Sequence, residues 1–147
     1  MSLETLQAKL ELRELVDAYA TLTDEKRISD QMLLFTPDTQ FKIYMSDQLV
    51  SNVSGTAQLE EEFNGHVSLV KRYFSLNGQH VVNVDGDTAT GVVFSHIKML
   101  RDGEEGTEVL TDYSVQYHDV YVRQNEKWLI KERTSKYIFV EAKVLQS

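Results

Sequence analysis

Apolar residues at Leu12, Leu15, Val16, Tyr19 and Leu22 recur at three- and four-residue steps, while Glu11, Arg13, Glu14 and Asp17 fall off that stripe. This spacing predicts a long amphipathic helix in the first part of the chain. A second, shorter helix is expected to carry Ile28, Met32, Leu33 and Phe35, with Ser29 or Asp30 as cap. It should stop before Pro37, because proline disfavours helical backbone in the residue preceding it. Phe41–Met45 reads as a strand. Gly55-Thr56 opens a third helix with Leu59, Phe63, Val67 and Val70 on one face.

From Phe74 onward the pattern changes to long strands. His80–Val84 meets Thr88–Met99 through Asp85-Gly86-Asp87, a hairpin turn by composition. Arg101–Gly106 makes the next turn, a strand follows to Arg123, and Gln124-Asn125-Glu126 turns into a last strand carrying Trp128, Ile130, Tyr137 and Phe139. Helices first and an antiparallel meander second imply an α+β fold, with N-terminal helices packed on a curved, mostly antiparallel sheet. A cone of that kind encloses a pocket between its layers, the usual place for a small molecule.

Length and charge narrow the functions. At 147 residues the chain suits one domain, 1–147, and 23 Asp+Glu against 15 Lys+Arg leave a formal charge of −8. Excess negative charge opposes binding to a phosphate backbone, so nucleic acid is excluded as a partner. With no cysteine there is no disulfide, thiolate metal site or cysteine nucleophile. The N-terminal MSLETLQAKLELRELV carries charges throughout, so it reads as neither a signal peptide nor a membrane span, and a cytoplasmic protein is expected. Metal-ligand spacing such as HExxH, a phosphate-cradling glycine loop and GxSxG are all absent, and no cofactor or metal is expected.

Several side chains could carry acid–base chemistry. Strand parity groups His80 with Val82 and Val84 on the more apolar face, making it either a general base or a core histidine with one hydrogen bond. Asp24, just past the first helix, is either a cap or turn acid, or a carboxylate that orients a histidine ring. Tyr19, on the apolar helical stripe, is a packing residue or a donor to a developing oxyanion. His118 alternates with Tyr117 and Tyr121, and only one of those two faces can line the pocket. Parity leaves His96 open. His66, beside Gly65, reads as surface, and Glu60-Glu61-Glu62 as a solvated helix face.

The layout resembles the SnoaL-like branch of the nuclear transport factor 2-like superfamily. The resemblance is carried by Glu14–Tyr19, Leu34–Asp38 with Phe41, Gly55-Thr56, Gln79-His80 and Asn83, Val84–Ala89, Tyr117–Arg123 and Trp128–Arg133, so it covers nearly the whole chain. It implies a conical α+β domain with an enclosed pocket that assembles as a homodimer or homotrimer. Within the superfamily the chain is most similar to scytalone dehydratases and hexachlorocyclohexane dehydrochlorinases, which use a histidine base supported by an aspartate. Those positions fall on His80 and Asp24, and Arg123 falls near an arginine of the dehydrochlorinase site. Ile43 and Thr23 stand where the dehydratases place tyrosines, with Tyr44 one step away, and Met99 stands nearest their second histidine. Against ketosteroid isomerases, Tyr19 matches the oxyanion-hole tyrosine, Ile43 replaces the carboxylate base and His118 replaces the protonated acid.

The resemblance therefore implies a cofactor-independent lyase or isomerase in which His80 abstracts a proton and Asp24 orients it, with Tyr19, His118, Arg123, Ile43 and Met99 around the substrate. Two other readings use the same fold. One is a small-ligand-binding protein without catalysis, and the other is a structural subunit like the small subunit of aromatic-ring dioxygenases.

Overall fold

In the structure, a computed structural model that describes residues 1–145, the chain runs α1 (Leu3–Asp24), α2 (Ile28–Met32), β1 (Phe35–Met45), β2 (Gln48–Ser54), α3 (Thr56–Val67), β3 (Arg72–Asp85), β4 (Thr88–Asp102), β5 (Glu108–Gln124) and β6 (Lys127–Leu145). The strands form one open sheet in the order β2-β1-β6-β5-β4-β3. Pairing is antiparallel except where β1 lies parallel to β6. The helices pack against one face, which gives the α+β architecture expected.

Local chemistry accounts for most boundaries. Ser2 caps α1 by accepting from the Thr5 N–H at 3.1 Å, and the helix buries Ala8, Leu12, Leu15, Val16 and Tyr19. Gly55 precedes α3 at φ +85°, a left-handed conformation that side chains resist. The second helix ends at Met32, three residues short of the expected Phe35, which instead begins β1. Pro37 therefore sits inside a strand, in the stretch between Phe35 and Gln40 where pairing with β6 is irregular and its missing N–H costs no ladder bond. Strand β2 carries no periodic signal, because Val53 is its only buried residue. It is an edge strand, returned from β1 by Ser46-Asp47 at φ +48° and +67°.

Three register shifts decide which side chains reach the interior. On β3 a shift between Asn77 and His80 moves the inward set from Tyr73, Ser75 and Asn77 to His80, Val82 and Val84. The carbonyls of Gly78 and Asn77 at this irregularity accept from Arg13 at 2.7 and 3.4 Å. Between β5 and β6, Val120 pairs with Glu132 but Tyr121 with Ile130, so Lys131 is an extra residue. Inward positions on β6 consequently switch from Trp128 and Ile130 to Arg133, Ser135 and Tyr137. A second shift between Ser114 and Val115 leaves Phe139 outward and 72% exposed. Above the sheet the rings of Tyr19, Phe35, Phe41, Phe63 and Tyr117 meet edge-to-face at 5.2–6.4 Å between centroids. Each such pair contributes roughly 0.5–1.5 kcal/mol beyond its area burial.

Candidate functional site

Between the helices and the sheet lies a cavity of about 380 Å³, within the range of small-molecule sites. Phe41, Ile43, Phe63, Val67, Ile97 and Met99 supply apolar wall. Polar groups enter it from α1 and α2 (Tyr19, Thr23, Gln31), from the sheet (Tyr73, Ser75, Asn77, Ser95, Tyr117, Ser135, Tyr137) and from α3 (Glu62, His66). Glu62, Gly65, His66 and Leu69 are exposed and mark the mouth.

His66 is the histidine that lines this cavity. The sequence alone reads it as surface, and it is exposed; it lies seven residues after buried Leu59, two turns along the same helical face, and that spacing is the signal that could have found it. Its Nδ1 is 2.8 Å from the hydroxyl of buried Tyr73. Burial, with the Arg101 charge, holds the His66 pKa below its ordinary 6.5, while Glu62 opposes the shift, so the ring is neutral at neutral pH. Burial pushes the Tyr73 phenol up, so it stays protonated. Which of the two donates depends on the His66 tautomer; in the tautomer whose Nδ1–H donates to the Tyr73 oxygen, the Nε2 lone pair is free to accept a proton.

The residues expected from the sequence separate into two groups. Tyr19, Ile43 and Met99 line the cavity. The Asp24 carboxylate reaches its edge, accepting from the Ser75 N–H at 2.9 Å and the Ser75 hydroxyl at 2.7 Å. Because β3 is a sheet edge, its outward N–H groups lack a neighbouring strand, and Asp24 satisfies one of them.

His80 faces inward, as strand parity predicts, but away from the cavity wall, and it does not bond Asp24. Five residues separate Ser75 from His80, which is roughly 15 Å of strand. His80 bonds Tyr121 instead, at 3.0 Å between Nε2 and the hydroxyl. Two further expectations are corrected. His118 lies on the opposite face of the sheet, in a shallow groove with Val81, Asn83, Thr90 and Glu132, because Tyr117 and Tyr121 take the inward positions. Arg123 sits at the far end of β5, 3.7 Å from Asp87 and beside the start of α1.

Behind the cavity lies a polar network that strict alternation hid. Arg133 is 1% exposed and is held by Asp119 through two hydrogen bonds of 2.8 Å. The Tyr121 hydroxyl donates to Asp119 at 2.6 Å, so its oxygen accepts from His80 Nε2–H. That order fixes the His80 tautomer and leaves Nδ1 as its basic nitrogen. Gly91 makes room for it, since a Cβ there would lie 3.0 Å from the Tyr121 ring and 3.1 Å from His80 Nε2. The Arg133 guanidinium carbon stands 4.3 Å from the Tyr19 ring centroid and 4.1 Å from that of Tyr117. Burial alone would lower the Arg133 pKa, but the charge and hydrogen bonds of Asp119 outweigh it, and the cation is secure.

Burial also lowers His80 and His118 below their ordinary 6.5; at His80, Asp119 and Asp17 oppose the shift while Arg13 and Arg133 add to it. Below pH 6.5 the unfolded chain then binds protons that the folded chain refuses, so stability falls as pH drops through that value and is fully present above it. Urea midpoints measured between about pH 5 and 8 should decline on the acid side, and His80→Gln should flatten part of that slope. An unchanged slope in the variant contradicts a neutral, half-buried His80.

Residues 4–134 match the SnoaL-like domain family. The chain belongs to that family. Among solved structures, this SnoaL-like protein is similar to a candidate scytalone dehydratase from Novosphingobium aromaticivorans, with TM-score 0.82 and 14% identity over 97% of this chain and 92% of that one. It is similar to a hexachlorocyclohexane dehydrochlorinase, with TM-score 0.79 and 12% identity over 99% and 93%. The beta subunit of a candidate aromatic-ring-hydroxylating dioxygenase from N. aromaticivorans superposes with TM-score 0.77 and 16% identity over 93% of each chain. Identities this low establish the shared fold. Among the described residues no helix is long and apolar enough to cross a membrane, and no three His, Cys, Asp or Glu side chains cluster to hold a metal.

Proposed function

We propose that this SnoaL-like protein binds a small, largely apolar cyclic compound in the cavity and catalyses its conversion as a lyase or isomerase, by proton abstraction. The observation that carries this reading is His66 on the cavity wall, neutral at neutral pH and hydrogen-bonded to Tyr73. In the reaction a C–H proton next to a carbonyl or leaving group passes to His66 Nε2. The C–H electron pair forms a carbon–carbon double bond, while the pair of the bond that breaks either leaves with the departing group or, from the carbonyl π bond, moves onto the oxygen to give an enolate. All the groups used are side chains. Asp24 serves this reading by fixing Ser75 on the wall rather than by orienting His80.

The test is proton exchange. The protein incubated with 2-tetralone in D2O is expected to accelerate deuterium incorporation at the carbon between carbonyl and ring, and His66→Ala to lose that acceleration. Exchange at the buffer rate with wild type, or undiminished exchange with His66→Ala, overturns the assignment.

The same reading includes self-association through the sheet face away from the helices. Phe74, Leu76 and Val81 on β3 and Phe139 on β6 are 62%, 61%, 58% and 72% exposed there. Apolar exposure of this kind marks contact surfaces. Light scattering should give two or three times the 16.9 kDa chain mass, and Leu76→Lys with Phe139→Lys should give a folded monomer. A monomeric wild type contradicts it.

A further inference from the structure

The acidic run Glu60-Glu61-Glu62, which the sequence pattern predicts to be a solvated helix face, divides in the structure. At about 100° per residue, Leu59, Phe63 and His66 share one side of α3. Glu60 then stands on one flank of that side, Glu62 on the other, and Glu61 behind it. Both flanking acids are tied to neighbouring elements. Glu60 accepts from the Ser29 hydroxyl of α2 at 3.0 Å. On the opposite flank the Ser51 hydroxyl of β2 lies 2.9 Å from each carboxylate oxygen of Glu62. Glu61 is exposed.

Apolar packing alone holds α3 weakly against rotation. Leu59 is its one fully buried residue, and Phe63 adds an edge-to-face contact with Phe41 at 5.2 Å between centroids. The N-terminal end is pinned where the Gly55 N–H donates to the Thr39 carbonyl at 2.8 Å. His66 stands three turns beyond that pin, at the cavity mouth. Side chains reach about 5–6 Å from a helix axis, so a rotation of about 10° carries a ring about 1 Å sideways. Misplacement of a reacting group by about 1 Å costs on the order of 10²-fold in rate. Tethers on opposite flanks oppose both senses of that rotation, which a single tether does not.

We propose that Glu60 and Glu62 are positioning residues, which through Ser29 and Ser51 fix the rotation of α3 and so aim His66 into the cavity. This rests on the reading of His66 as the base and deepens it by naming what holds the base in place. Glu62 has a second influence, since its charge opposes the lowering of the His66 pKa by burial and Arg101. Tether and charge separate by substitution. Ser51→Ala removes the tether and leaves the charge, whereas Glu62→Gln removes the charge and keeps an acceptor oxygen for Ser51.

The test measures kcat and KM for deuterium exchange into 2-tetralone, and, independently of activity, the titration of the His66 ring by NMR. The double variant Ser29→Ala with Ser51→Ala is expected to lower kcat by about 10- to 100-fold. KM should stay unchanged, because the cavity wall that binds the probe is intact. The melting temperature should move little, since Ser29 is exposed and both bonds lie at the surface. As α3 loosens and the ring loses cover, His66 should titrate closer to its ordinary 6.5. Glu62→Gln should keep the wild-type kcat on the plateau and shift the acid limb of the profile to lower pH. An unchanged kcat in the double variant, or a loss accompanied by a collapse in melting temperature, overturns the positioning role and leaves His66 as the base. A kcat lost in Glu62→Gln as fully as in the double variant overturns it too, because charge and not the tether then matters. Absence of exchange with wild type overturns the proton-transfer reading, and the NMR titration then decides the tethers alone. A His66 titration that moves in the double variant supports them, and one that does not overturns them.

Discussion

Replacing Asp119 with alanine is expected to lower the melting temperature by roughly 6–20 °C. The Asp119–Arg133 pair is 0% and 1% exposed at its side chains, so the replacement strands a buried cation between two tyrosine rings. It also removes the acceptor of the Tyr121 hydroxyl. Breaking one side of a buried pair costs about 3–5 kcal/mol, and at this chain length each kcal/mol moves the midpoint by about 2–4 °C. The double replacement Arg133→Met with Asp119→Leu should recover much of the loss, because it deletes both charges and fills the space with apolar atoms. Calorimetric scans of the single and double variants check this. A double variant no more stable than the single ones would show that the pair itself, rather than the desolvation of its remnant, holds the core together.

The second large effect is on turnover. A positioned general base contributes about 10²–10⁴-fold, so His66→Ala should reduce exchange into 2-tetralone by that factor. His66 is exposed at the cavity mouth, so its removal should move the melting temperature little. Tyr73→Phe should reduce exchange less, since it removes a hydrogen-bond partner of the His66 ring and not the base. The pH dependence has a definite sign. A base whose pKa lies below 6.5 is already free of its proton at neutral pH, so the rate should rise with pH through a value below 6.5 and stay flat above it. Wild-type rates from about pH 4 to 8 show the profile. A rate still rising above pH 7, or one indifferent to His66→Ala, assigns the proton to another group.

The two predictions concern different parts of one wall, and they differ in how legible those parts are in the sequence. Helical periodicity placed Tyr19 on the inner face of α1, and pocket residues such as Ile43 and Met99 followed from the resemblance. Strand parity placed His80 inward on β3, and that is where it points. The partner of His80 was not legible. Resemblance put it beside Asp24, but α1 ends against Ser75, five residues down the strand, while Tyr121 reaches His80 from two strands away. Arg133 was hidden for a different reason. Counting by twos from Trp128 and Ile130 turns it to solvent, and only the extra residue at Lys131 brings it inward to meet Asp119.

Sequence by itself determined the α+β order, the third helix opening at Gly55-Thr56, the hairpin at Asp85–Thr88 and the absence of thiol chemistry. Each of these depends on a period, a turn composition or a residue count, all local properties of the chain. Tertiary structure decided which polar groups share a wall, that His66 and not His80 opens on the cavity, and that His118 and Arg123 lie elsewhere. Those outcomes depend on single-residue register shifts and on where α1 stops. A one-residue slip turns a side chain to the other face of a strand, and no periodicity in the sequence records it.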